Sequence, residues 1–194
     1  MYTPWPDNTD KYALRSQLVD LIGDYLFVAP SHEVADIHSK VAPVYIYEFA
    51  HLSNVTLGAK WMGVVHGDNV AYDFGIPLLT SLPFGYSAVD KNVSLFIMTM
   101  YANFARFGDP TPQPVSGVTW ERYNTSHRAY LRVDAQPKMA AAFAPRRMAF
   151  WNDYHRKLTQ VKFATTEDVV SGANACAAMA MFLQIVFLVI LAVF

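Results

Sequence analysis

From Asp10 onward the apolar residues Leu14, Leu18, Leu21, Ile22 and Tyr25 return every three or four positions. That is the spacing of one helix face, and it predicts an amphipathic helix over residues 10–24. A second, shorter helix is expected to begin near Ser31, after Pro30, and to run to about Lys40. The period then changes. Pro43-Val44-Tyr45-Ile46-Tyr47-Glu48-Phe49 is β-branched and aromatic, with apolar residues on both faces until Glu48. It reads as a buried strand. Residues 50–64 read as loop, with turn chemistry from Ser53-Asn54 and Gly58.

Ser87-Ala88-Val89-Asp90 has the form of a capping box, with aspartate in place of the usual glutamate or glutamine. Behind it Val93, Ile97, Met100, Phe104 and Phe107 share one helix face, and Gly108 followed by Pro110 stops the helix. Thr111 to Ser116 is a proline-rich loop, and Tyr130-Leu131-Arg132-Val133 is a short strand candidate. Pro145 opens a last helix carrying Met148, Trp151, Tyr154 and Leu158, since proline at the first helical position loses no hydrogen bond. Strand and helix patterns alternate, so the expected class is α/β.

Composition narrows the function. The 194 residues are 53% hydrophobic and 16% charged, enough for a real core and far from a disordered composition. Net charge is −1 with no basic run, so nucleic-acid binding has no support. The one cysteine, Cys176, lies in an apolar tail. This excludes an intrachain disulfide and a zinc site of the cysteine type. Three glycosylation sequons begin at Asn54, Asn92 and Asn124 and lean toward a secretory route. MYTPWPDNTD has neither a basic start nor an apolar stretch, so a secreted reading expects further sequence upstream.

Residues 175–194, ACAAMAMFLQIVFLVILAVF, hold one polar side chain, Gln184. As a helix such a run could cross a hydrocarbon core of about 30 Å. The small residues Ser171, Gly172, Ala173 and Asn174 before it are candidate sites for replacement by a lipid anchor. The tail is thus expected to be a lipid-anchor signal, a terminal membrane span, or a buried helix.

The candidate chemistry is sparse. None of the six histidines, His32, His38, His51, His66, His127 and His155, has a partner at metal-ligand spacing, and no metal site is expected. Gly85-Tyr86-Ser87-Ala88-Val89 lacks the second glycine of a nucleophile elbow and follows a loop, so Ser87 is better read as a helix cap. His66 stands apart, in WMGVVHGDNVAYDFG. A histidine between valines and glycine is more often packed core than catalyst. Yet glycines 63 and 67 and Pro77 mark an irregular loop, where active-site residues concentrate. Imidazole also titrates in the range where a general base must work.

WMGVVHGDNVAYDFGIPL resembles the histidine loop of the type-B carboxylesterase and cholinesterase family, which typically reads HG-[DY]-E, then FG and a proline. LVDLIGDY with FVAP, PVYIYEFAH, YANFARFGDPTP and RRMAFWNDYHRKL resemble further motifs of that family, in its order. The resemblance implies an α/β-hydrolase fold whose C-terminal portion occupies residues 1–160. Residues 161–174 would be a linker and 175–194 the hydrophobic tail. It implies that His66 is the histidine of a Ser, acid, His triad, whose serine, glutamate and oxyanion hole lie upstream of this chain. Trp61, Met62, Tyr72 and Phe74 become candidates for lining an acyl or alcohol pocket, against the simpler reading that they are core. Asn69 stands where the family usually has glutamate, Asp68 where cholinesterases often have an aromatic, and Met148-Ala149 where they carry a disulfide cysteine.

Three functions follow as expectations. The first is a serine carboxylic-ester hydrolase at the cell surface, acting on a small ester without a cofactor. The second is a non-catalytic adhesion protein of the neuroligin type, with a cell-surface protein partner, a membrane tail and possible dimerisation. The third is that the 194 residues alone are an inert fragment, since a partial sheet exposes a strand edge and apolar surface.

Overall fold

The computed structural model describes residues 1–3, 6, 9–55, 59–82 and 85–163. They form two compact units, one from residues 1–40 with those from 143 onward, the other from residues 41–142.

The first unit is helical. Helix α1, Lys11–Gly23, starts at Asp10, whose side chain accepts from the backbone N–H groups of Tyr12 and Ala13 at 2.9 and 3.2 Å, a satisfied N-cap. A wider π-helical turn, Asp24–Val28, leads straight into α2, Ala29–His38. The break expected at Pro30 does not occur. Pro30 sits in the first turn of α2, where a missing N–H interrupts the ladder least. The apolar stripe of α1 is real, but Leu18, Ile22 and Tyr25 are exposed and the helix contains no buried residue.

After α5, Pro145–Ala149, a second π-helical stretch, Phe150–His155, passes into α6, Arg156–Phe163. The helix therefore runs a little beyond residue 160. Inside this unit Asp24 is buried. It accepts a hydrogen bond from the Tyr2 hydroxyl at 2.7 Å and faces Nε of Arg147 at 2.8 Å, the latter aligned as an ion pair rather than a hydrogen bond. Burial pushes its carboxyl up, against the pull of Tyr2 and Arg147. Asn152 donates to the Ala29 carbonyl at 3.0 Å and joins the last helical segment to α2.

The second unit is a small mixed sheet under one long helix. Strand β1, Tyr47–Phe49, pairs parallel with β2, Ala129–Val133, and β2 pairs antiparallel with β3, Lys138–Ala141. The order is β1-β2-β3, with Tyr47 opposite Leu131 and Leu131 opposite Met139. The expected strand of residues 43–49 is thus in the ladder only at its end. The carbonyls of Val44 and Ile46 instead accept from the Tyr123 N–H, the Leu131 N–H and the Trp120 indole at 2.7, 2.8 and 3.1 Å. Backbone satisfaction there comes from a loop as well as a strand. β2 alternates buried and half-buried positions, as a strand with one covered face should.

Helix α4, Ala88–Phe107, covers that face. The capping box is present: Ser87 accepts from the Asp90 N–H, and the Asp90 side chain accepts from the Ser87 N–H. Val93, Phe96, Ile97 and Met100 of α4 pack with Tyr72, Trp120, Leu131 and Val133 into one core. Of the expected helix face, Phe104 and Phe107 are exposed, because they lie past the end of that core.

Candidate active site

His66 lies in the second unit on a tight turn. The turn closes on itself: the Asp68 N–H donates to the Val65 carbonyl at 3.1 Å, and Oδ2 of Asp68 accepts from the Val65 N–H at 2.9 Å. Gly67 follows at φ +93, a backbone that L side chains rarely adopt. The His66 side chain is therefore exposed. The reading of it as a packed core histidine does not hold; the glycine turn carries it out of the apolar run.

The turn passes directly into α3, Val70–Asp73, with the Val70 N–H donating to the Gly67 carbonyl at 3.1 Å. Behind α3 the chain reverses at Gly75, φ +71. That positive φ favours glycine there, and a Cβ at Gly75 would stand 3.1 Å from the Met98 sulfur, so the Met98 side chain would have to give way.

One buried carboxylate gathers several elements. Oδ1 of Asp90 accepts from the Tyr72 hydroxyl at 2.7 Å and lies 2.8 Å from Nε2 of His51. Oδ2 accepts from the Ser87 N–H at 2.8 Å and from the Ser87 hydroxyl. A carboxylate only accepts, so His51 is held with its proton on Nε2. Burial alone pushes the Asp90 carboxyl up, but hydrogen bonds from Ser87, Tyr72, His51 and Ser53 outweigh it and hold it well below the usual carboxylate range. Its place in the first turn of α4 favours the charge as well. The same donation pushes the Tyr72 hydroxyl up, after burial as the larger cause. A second tie runs from Ser94, whose hydroxyl donates to the Tyr72 carbonyl at 2.7 Å.

At the other end of α3, Asn69 donates to Asp73 at 2.7 Å and to the Tyr47 hydroxyl at 3.3 Å. Tyr47 and Tyr101 share a hydroxyl–hydroxyl bond of 2.7 Å. Burial pushes the Asp73 carboxyl up to about 6, against hydrogen bonds from Asn69 and Tyr101. Asn69, where the resembling family has glutamate, is buried and structurally engaged.

A cavity of about 120 Å³ opens between the loop leaving β1 and the His66 turn. It is lined by His51, Ser53, Gly67, Asp68, Tyr72 and Tyr86, among others. Of the four candidate pocket residues it brings in Tyr72, which is also core. Trp61 is 50% exposed, Met62 40% and Phe74 77%, so these three are not part of the core formed by the described residues. Ser87 caps α4, as its sequence suggests. Among the other histidines, His32 is buried and His127 faces Glu121 at 3.6 Å on the surface.

Among the described residues no group of three or more His, Cys, Asp and Glu is placed to hold a metal. No helix among them is long and apolar enough to cross a membrane. The tail of residues 175–194 and the anchor candidates Ser171, Gly172, Ala173 and Asn174 lie outside the described residues. The sequon residues Asn54, Asn92 and Asn124 are all exposed.

His51 is the site residue that the sequence pattern does not single out. It sits at a strand exit, 39 positions from its partner, and no local spacing joins them.

Comparisons with known proteins match this arrangement to one family. The model of the carboxylesterase family covers residues 1–151. Neuroligin-3 of Mus musculus is 33% identical over 168 residues, 78% of this chain and 20% of that protein. The acetylcholinesterase of Leptinotarsa decemlineata is 36% identical over 160 residues, 81% of this chain and 24% of the relative. That of Bungarus fasciatus is 34% identical over 159 residues, 81% and 26%. The chain thus spans about a fifth to a quarter of the length of the curated relatives it matches. With the family model spanning most of its length, and with the histidine turn, the capped helix and the β1–β2 pair in place, the chain belongs to the carboxylesterase family.

Proposed function

We propose that this chain supplies the proton-handling histidine of a serine carboxylic-ester hydrolase, with the nucleophile, acid and oxyanion donors provided by sequence that precedes it. The observation that carries the reading is His66 itself. It is exposed on a glycine turn in a chain of the carboxylesterase family, beside a cavity that Gly67 and Asp68 help to line.

In this scheme His66 takes the proton of the serine hydroxyl as its oxygen attacks the ester carbonyl. The tetrahedral adduct collapses, the acyl–alkoxide bond breaks, and His66 returns the proton to the departing alcohol. Water then attacks the acyl-serine with His66 again as base, releasing the acid and restoring the hydroxyl. No cofactor is needed. Trp61, Met62 and Phe74, exposed near the turn in sequence, are available to line the acyl or alcohol pocket against that preceding sequence, and Tyr72 lines the cavity beside the turn. An extracellular location fits the sequons at Asn54, Asn92 and Asn124. Anchoring through residues 175–194, with Ser171 to Asn174 as the attachment region, fits the tail.

A fluorophosphonate probe tests the reading on the protein in which this chain follows its upstream sequence. Labelling of a serine that is lost with His66→Gln supports it. Labelling that does not depend on His66 contradicts it.

The neuroligin relatives, 33% identical in the mouse case, favour a second reading on the same scaffold, a non-catalytic adhesion protein that can dimerise and binds a cell-surface protein partner. An upstream G-x-S-x-G with a glutamate between it and His66 supports the hydrolase. Glycine or alanine in place of that serine supports adhesion.

A further inference from the structure

We propose that Asp90 is the positioning residue of the His66 turn, holding it through Tyr72 while clamping the loop that leaves β1 through His51. This rests on the hydrolase reading only for the meaning of the turn; the tie itself stands on geometry.

The turn has no sheet of its own. It is a short reversal, 65–69, continued by the four-residue helix α3. A helix of one turn has little intrinsic stability, so its place depends on what fastens it. The descending side of α3 is fastened at Tyr72. Its ring is buried, 5.0 Å from Phe49 and 5.5 Å from His51 between ring centroids, and its hydroxyl ends on Asp90.

Asp90 in turn is fixed by the helix it caps, through Ser87. His51, at the exit of β1, reaches the same oxygen as Tyr72. Three separate stretches of chain, 51, 72 and 87–90, therefore meet on one carboxylate. General-base catalysis is sensitive to misplacement on the scale of one ångström, so what fastens the turn bears on the histidine it carries.

The arrangement is economical with respect to ordinary capping. A cap needs one carboxylate oxygen for the Ser87 N–H, and Asp90 uses Oδ2 for it. The other oxygen receives Tyr72 and His51. That second oxygen separates positioning from capping and makes the proposal testable without removing the cap. Tyr72→Phe deletes one hydroxyl and keeps the ring, the cap and His51.

Hydrogen exchange of the intact chain reads the tie. Tyr72→Phe is expected to speed exchange of the Val65, Asp68, Val70 and Tyr72 amides by about tenfold or more, with the Leu131 and Val133 amides unchanged. Asp90→Asn should do the same more strongly; if it unfolds the chain, Tyr72→Phe decides. Unchanged turn amides in Tyr72→Phe, or equal acceleration in β2, would overturn the tie.

Where the longer protein hydrolyses an ester, Tyr72→Phe should lower kcat by more than it changes KM. A looser turn with unchanged kcat would overturn the positioning role. Absence of any esterase activity would remove the hydrolase reading and leave the exchange result to stand by itself.

Discussion

Nε2 of His51 lies 2.8 Å from Oδ1 of Asp90, and both side chains are buried. The pair joins the exit of β1 to the start of α4 and leaves the carboxylate below its usual range. Asp90→Ala would leave the His51 and Tyr72 donors buried without their acceptor. It should destabilise the folded state by about 3 kcal/mol, as read from urea unfolding at neutral pH. The pH dependence follows from the depressed folded-state value. Stability from Asp90 is present in full above the unfolded carboxylate value of 3.8 and is lost as pH falls below it. The wild type should therefore lose stability on acidification through that window more steeply than Asp90→Ala.

Asp73 titrates with the opposite sign. Its carboxyl is raised from 3.8 to about 6, so the folded state binds the proton more tightly than the unfolded state. The ionised form is a burden above pH 6, relieved as pH falls toward 3.8. Asp73→Asn keeps an acceptor for Asn69 and removes the charge. It should stabilise the chain by about 2 kcal/mol at pH 8, with the gain gone near pH 4. Unfolding curves at the two pH values check this.

These two carboxylates mark where sequence legibility stops. The capping box Ser87–Asp90 can be read locally because cap and helix are contiguous, and so can the stop at Gly108 and the strand at 130–133. The second use of Asp90 cannot, since His51 and Tyr72 reach it only through tertiary packing. β3 is silent because Lys138-Met139-Ala140-Ala141 has neither alternation nor β-branched residues; it is a strand by virtue of pairing with β2. The stripe on α1 is legible, but a stripe does not say what covers it, and α1 has no buried residue. His66 was legible as a loop residue. Its exposure follows from the positive φ of Gly67, which turns the chain outward.

The sequons differ in setting. Oδ1 of Asn124 accepts from the Ser126 hydroxyl at 2.6 Å and the His127 N–H at 2.7 Å in an exposed turn. Asn92 lies inside α4, and the hydroxyl of its Ser94 is buried on the Tyr72 carbonyl. Expressed through a eukaryotic secretory pathway, the protein should lose one glycan with Asn124→Gln and none with Asn92→Gln, as read from gel mobility with and without glycosidase.

The tail offers an independent test of location. If residues 175–194 are exchanged for a lipid anchor, phosphatidylinositol-specific phospholipase should release the protein from the cell surface. Retention after treatment points to a membrane span.

The central claim is that His66 handles the proton in ester hydrolysis. Its most direct test is turnover of p-nitrophenyl acetate by the protein in which this chain follows its upstream sequence, wild type against His66→Gln. The account predicts hydrolysis that falls on the order of 10⁴-fold in kcat with the substitution, while the fold is retained. Hydrolysis that survives His66→Gln undiminished would contradict it.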